Sequence, residues 1–129
     1  MKYKLIVCDM DGTLLTSSHK ISDHTANIIK KIEDSSVKFM IATGRPYLDA
    51  RHYRDSLELK SYLITSNGAR AHDEDNNPIV VENIPKELVK RLLNYKVGKD
   101  IHRNIYLNDD WIIEYEIDGL VEFLSLIHI

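Results

Sequence analysis

Three short apolar runs, each halted by a small polar turn and separated from the next by a stretch of helical period, restrict what this chain can fold into more than any other feature. The first is Leu5-Ile6-Val7-Cys8, halted by Asp9-Met10-Asp11-Gly12-Thr13. The second runs from Val37 to Ala42 and ends at Thr43-Gly44-Arg45, and the third runs from Tyr62 to Thr65 and ends at Ser66-Asn67-Gly68. The first, an unbroken apolar run, reads as a strand buried on both faces of a parallel sheet, and the other two read as strands as well. Between the first two, Ser22 is placed as an N-cap, with Ala26, Ile29, Ile32 and Glu33 in helical register and Ile28 widening the apolar face. Between the second and third, Pro46 takes the first position of a helix reaching about Leu57, with Tyr47, Ala50, Tyr53, Arg54 and Leu57 in register. Strand and helix alternating in this way predict an α/β fold of right-handed βαβ units. In such sheets ligands bind at the carboxyl ends of the strands, where all three turns lie.

The texture changes after Gly68. Asp73-Glu74-Asp75-Asn76-Asn77-Pro78 reads as a hairpin-like turn and Ile79-Val80-Val81 as a returning strand. Pro85 opens a helix with Leu88, Val89, Leu92 and Leu93 on one face, closing near Gly98. Ile101 to Leu107 and Trp111 to Ile117 read as an antiparallel hairpin around Asn108-Asp109-Asp110. A boundary between Val81 and Ile84 divides the chain into residues 1–82 and 83–129.

A length of 129 residues suits one ordinary domain, and 43% hydrophobic with 29% charged residues supports a packed core. The net charge of −3 supplies no basic field for nucleic acid or for an anionic membrane. An anionic ligand must therefore be held by local devices: a metal, backbone N–H groups or a single Arg. Cys8 is the only cysteine, which rules out an intrachain disulfide and suits a reducing compartment. The apolar stretch before Asp9 is too short for a signal peptide or a membrane span, so the expected location is cytoplasmic.

Asp9 and Asp11 carry the strongest chemical signal. Two carboxylates two residues apart at a strand end can face one pocket. A hard divalent cation relieves their repulsion, and magnesium prefers oxygen ligands. One carboxylate can attack phosphorus while the other protonates the leaving alkoxide and later activates water. Gly12 lets the backbone turn sharply there.

The string Asp9-Met10-Asp11-Gly12-Thr13-Leu14-Leu15 after an apolar strand resembles the D-x-D-G-T-L-L motif of the haloacid dehalogenase superfamily of phosphohydrolases. Ile41-Ala42-Thr43-Gly44-Arg45-Pro46 and Ile64-Thr65-Ser66-Asn67-Gly68-Ala69 extend the likeness to the Cof-type subfamily (IIB), whose cap domain is inserted after the third strand. The resemblance implies a partial Rossmann-like core with a parallel sheet, followed by the beginning of an α+β cap. It implies Asp9 as nucleophile and Mg2+ ligand. Asp11 would be the general acid/base, and would also ligate the metal through its backbone carbonyl. Thr43 would hydrogen-bond the transferring phosphoryl group, with Gly44, Arg45, Asn67 and Gly68 in phosphate or substrate binding. The implied reaction is hydrolysis of a small phosphorylated metabolite through a phosphoaspartate. The family's lysine motif and its later G-D-x-x-N-D motif are not found, and Asp109-Asp110 lacks the Gly and Asn that would make it a substitute. The sequence therefore reads as an N-terminal portion, whether a fragment, a truncated product or a shifted frame. The alternative function is a non-catalytic remnant. An edge left open along Leu5 to Cys8 would invite self-association.

Other readings of these residues stay open beside this one. Arg45 is either a phosphate contact or a surface Arg beside a helix start, and Asn67-Gly68 is a common turn pair. Cys8 reads as a small core residue: the Cys-x5-Arg pattern of cysteine phosphatases would need Arg where Leu14 stands. A phosphoacceptor receiver domain would need an Asp ending the third strand, where Thr65-Ser66 stands. The six histidines have no zinc-ligand spacing. Asp73-Glu74-Asp75 reads as a solvated loop, and Tyr106, Trp111 and Tyr115 as packing.

Overall fold

The structure is a computed structural model that describes residues 3–96, 98, 101–107 and 110–115. Its contacts divide the chain into two compact units, Met1–Val81 and Glu82–Ile129.

The first unit is built on a five-stranded sheet of order β1-β2-β3-β4-β5. The apolar runs supply β1 (Leu5–Asp9), β2 (Lys38–Ala42) and β3 (Tyr62–Thr65), all parallel. Two antiparallel strands complete it, β4 (Arg70–His72) and β5 (Pro78–Val81). β4 was not visible in the sequence because Arg70-Ala71-His72 has neither an apolar run nor a clear alternation. Helix α1 (Asp23–Glu33) follows β1, and α2 (Tyr47–Ser56) follows β2. Ser22 caps α1 as expected: its side chain accepts from the Thr25 amide at 3.1 Å. Pro46 stands one residue earlier than anticipated, as the N-cap of α2 rather than its first helical residue.

Ala26 and Ile29 of α1, Ala50 of α2, and Phe39, Ile41 and Leu63 of the strands form the buried core with Met10, Leu14 and Leu15. Two expectations fail on burial. Ile28 is exposed rather than part of the apolar face of α1, whose core-facing stripe is already filled by Ala26 and Ile29. Leu5, Ile6 and Val7 are also exposed, although their run reads as buried on both faces. The physical reason is position: among the described residues β1 ends the strand order and pairs with β2 alone. Cys8 is half-buried and packs against the core.

The second unit contains α3 (Lys86–Asn94), with Pro85 as its N-cap, and a hairpin of β6 (Asn104–Leu107) and β7 (Asp110–Ile113). Helix α3 stops at Asn94, earlier than the Gly98 that was expected to close it. Its apolar side chains Leu88, Leu92 and Leu93 are exposed. Arg103 grips Glu114 across the hairpin through two N–H groups. The expected turn residues Asn108 and Asp109, and the end of the expected last strand at Ile117, lie outside the described residues. Among the described residues no helix is long and apolar enough to cross a membrane.

Candidate active site

Strand register assembles the site. Asp9 pairs with Ala42, and Ala42 pairs with Ile64. Thr43, just past β2, and Thr65, the last residue of β3, therefore lie at the same edge of the sheet as Asp9. Beyond Asp9 the chain closes a tight helical loop over Met10–Leu14, in which the Leu15 amide donates to the Met10 carbonyl at 2.9 Å. Gly12 has φ +74, a left-handed conformation that glycine adopts without a Cβ penalty. Met10 is fully buried and anchors the loop. Asp9 and Asp11, on either side of it, are both extended and both exposed.

Arg45 meets Asp11 in a planar fork, with Nε donating to Oδ2 at 2.8 Å and Nη2 to Oδ1 at 2.8 Å. The hydrogen bond from Arg45, opposed by partial burial and aided by its charge, holds the Asp11 carboxyl below the usual carboxylate range. The same bond pushes the Arg45 guanidinium up. Asp9 has no hydrogen bond or ion pair among the described residues, so its carboxylate is available. Burial, and then the neighbouring Asp9 charge, push the Cys8 thiol up, away from the thiolate a nucleophile needs.

The second and third turns are bound to each other. The Ser66 amide donates to the Arg45 carbonyl at 2.8 Å, and the Thr43 amide to the Ile64 carbonyl at 2.9 Å. A Cβ on Gly44 would stand 3.0 Å from Asn67 Oδ1, a tight contact between the second and third turns. Asn67 (φ 54) and Gly68 (φ 93) are both left-handed. Buried Thr43 accepts from the Arg45 amide at 3.2 Å through Oγ1, which leaves its hydroxyl hydrogen for another acceptor. Arg45 is thus the residue that joins all three turns, to Asp11 through its side chain and to Ser66 through its carbonyl. Asn67 and Gly68 connect to the site through Gly44 and through Ser66, not through a contact to either carboxylate among the described residues. The structure adds Tyr53 of α2, whose ring lies under the guanidinium with its centroid 5.2 Å from Arg45 Cζ. Its helical register was legible, but its neighbour was not.

The donor set suits magnesium in kind. The Asp9 carboxylate and the Asp11 backbone carbonyl are hard oxygen donors, and magnesium keeps several waters. Among the described residues no group of three His, Cys, Asp or Glu gathers as a metal cluster. Water or further oxygen donors would have to complete an octahedral shell.

Residues 6–124 match the haloacid dehalogenase-like hydrolase family. The chain is 38% identical over 114 residues to an HMP-PP phosphatase of Yersinia pestis, covering 87% of this chain and 41% of the relative. A haloacid dehalogenase-like hydrolase from B. subtilis is 32% identical, with a TM-score of 0.65 over 70% of this chain and 32% of that one. One from Bacteroides thetaiotaomicron, at 24% identity, shares the fold with a TM-score of 0.83 over 98% of this chain and 49% of that one. The chain thus spans about two-fifths of the length of the curated relatives it matches.

Proposed function

This chain belongs to the haloacid dehalogenase-like hydrolases, and we propose on that basis that its protein hydrolyses small phosphate monoesters, such as a sugar phosphate or a phosphorylated cofactor, through a phosphoaspartate on Asp9. The supporting observation is the pair at the end of β1: a free, exposed Asp9 carboxylate beside an Asp11 carboxylate that Arg45 orients. The name of the Yersinia relative, a phosphatase, points the same way.

In the first half-reaction a carboxylate oxygen of Asp9 forms a bond to phosphorus as the bond to the leaving oxygen breaks. Asp11 delivers its proton to that leaving oxygen. In the second half-reaction the Asp11 carboxylate takes a proton from water as the water oxygen attacks the phosphoryl group, which releases phosphate and restores Asp9. The Thr43 hydroxyl donates to a phosphoryl oxygen. Magnesium, held by the Asp9 carboxylate and the Asp11 carbonyl, would supply neutralisation of charge on the transferring group. The fork to Arg45 favours the ionised Asp11 of the second half-reaction. Proton donation in the first half-reaction therefore requires the fork to loosen.

A second reading is binding of magnesium or phosphate without turnover. The lack of a third metal-ligating side chain among the described residues favours it. The two readings separate in one experiment. The protein is incubated with magnesium and a labelled phosphate ester, then quenched in acid. Labelled protein from the wild type, none from Asp9→Asn, and label that accumulates in Asp11→Asn support the mechanism. Label retained in Asp9→Asn removes the nucleophile assignment, and no label in any form supports binding alone.

A further inference from the structure

We propose that Tyr53 is a positioning residue of the active site: its ring seats the Arg45 guanidinium so that Arg45 can hold the Asp11 carboxylate in a two-point fork. The inference rests on the reading of Asp11 as the proton-transfer group and adds the part that aims it.

The Asp11 side chain is 50% exposed, so burial does not orient it. Its direction comes from the two 2.8 Å bonds of the fork, which fix the plane of the carboxylate as well as its position. That passes the problem to Arg45, a long side chain on a turn residue. Its backbone is held at both ends, the amide by Thr43 Oγ1 and the carbonyl by the Ser66 amide. The four torsions beyond Cα still need a restraint of their own. The Tyr53 ring supplies one, 5.2 Å from Cζ, and the Arg45 side chain is only 17% exposed. A guanidinium is attracted to the face of an aromatic ring while its N–H groups stay free to bond in its own plane. Tyr53 is itself half-buried and packs against the core that includes Ala50, three residues earlier on α2. The line of support runs from the core through Tyr53 and Arg45 to Asp11. A lysine at position 45 could pair with Asp11 but could not lie flat on the ring and fork at once.

Filling space would be a simpler role for Tyr53, and the ring is what separates the two. Tyr53→Leu keeps an apolar side chain and removes the aromatic face, whereas Tyr53→Phe keeps the face. The probe is the Nε–H resonance of Arg45 in the full chain, assigned by its loss in Arg45→Lys. A seated fork protects this proton from exchange with water. We expect exchange to rise about two- to fivefold in Tyr53→Leu, the factor set by losing an ordinary cation–π contact, and to rise less in Tyr53→Phe, which keeps the ring face and loses the phenol oxygen that also bonds Arg45. Unchanged exchange in Tyr53→Leu, or an equal rise in Tyr53→Phe, overturns the proposal. In case Tyr53→Leu does not fold, the wild-type chain offers a second measurement. A nuclear Overhauser contact between the Tyr53 ring protons and Arg45 Hδ is expected, and its absence overturns the proposal equally. Neither readout depends on turnover. A failed nucleophile test at Asp9 leaves the seat standing, and a failed seat leaves the nucleophile standing.

Discussion

Arg54→Met should lower the stability of the first unit while leaving the active-site end of the sheet in place. Arg54 is a charged residue in the inward register of α2, and it is 1% exposed. Its Nη1 donates to the carbonyls of Ser61 at 3.4 Å and Asp73 at 3.3 Å, and its Nη2 donates to Asn76 Oδ1. Nε and Nη2 both reach Asp55 Oδ1. Methionine keeps the unbranched stem, so the substitution isolates the polar loss. Asp55 can rehydrate and keeps Arg51 at 2.9 Å, and Asn76 keeps the Tyr47 hydroxyl at 2.6 Å. The Asp73 carbonyl keeps the Asn76 amide at 3.2 Å, whereas the Ser61 carbonyl loses the bond from Nη1. An orphaned buried acceptor costs about 1–3 kcal/mol, and the bond to Ser61 is long, so the low end applies. Relief from burying a cation offsets the lesser losses at Asp55 and Asn76. The net is about 1 kcal/mol, or about 4–8 °C in Tm for a domain this size. Thermal melts measure the total. Amide exchange locates it, with acceleration expected at Asn76 and Asn77 and not at Thr43 to Arg45. A Tm within about 3 °C of wild type would refute the claim that Arg54 pins this end of the sheet.

Gly44→Ala brings a Cβ to 3.0 Å from Asn67 Oδ1, so the Asn67 side chain must shift; substrate affinity should fall by about tenfold, roughly 1.4 kcal/mol, with little change in Tm, and an unaltered KM counts against a shared site. Because the folded Asp11 carboxyl lies below its unfolded value, the ion pair with Arg45 contributes stability at neutral pH that is lost as pH falls through that lower value. The Tm advantage of wild type over Arg45→Gln should accordingly shrink below the ordinary carboxylate range, and an advantage that grows on acidification reverses the assignment. Chelation of divalent ions should abolish turnover, magnesium should restore it and calcium should do so poorly, since calcium takes more ligands at longer distances; full turnover in excess chelator speaks against a metal mechanism.

The parallel strands were legible because Leu5 to Cys8, Val37 to Ala42 and Tyr62 to Thr65 are apolar runs ended by turn residues, and because Ser22 is a strong cap. The chemistry of the first turn was legible because Asp9 and Asp11 are neighbours in sequence. What stayed hidden needs long-range contact. The Asp11–Arg45 fork spans 34 residues, and the Arg54–Asn76 bond spans 22. Periodicity marked Tyr53 and Arg54 as inward-facing without saying what either would touch. It also overstated Ile28, because a stripe of alternate turns does not reveal where the sheet beneath it ends.

Among the described residues, the strand that carries Asp9 is laddered along one flank, to β2. No described strand pairs along its other flank, where Leu5, Ile6 and Val7 are exposed. Asp9 stands at the free end of this one-sided attachment, in the manner of a cantilever. The five paired residues of the ladder to β2 are what tie its backbone to the sheet among the described residues, so a second ladder along the other flank would clamp the beam from both sides.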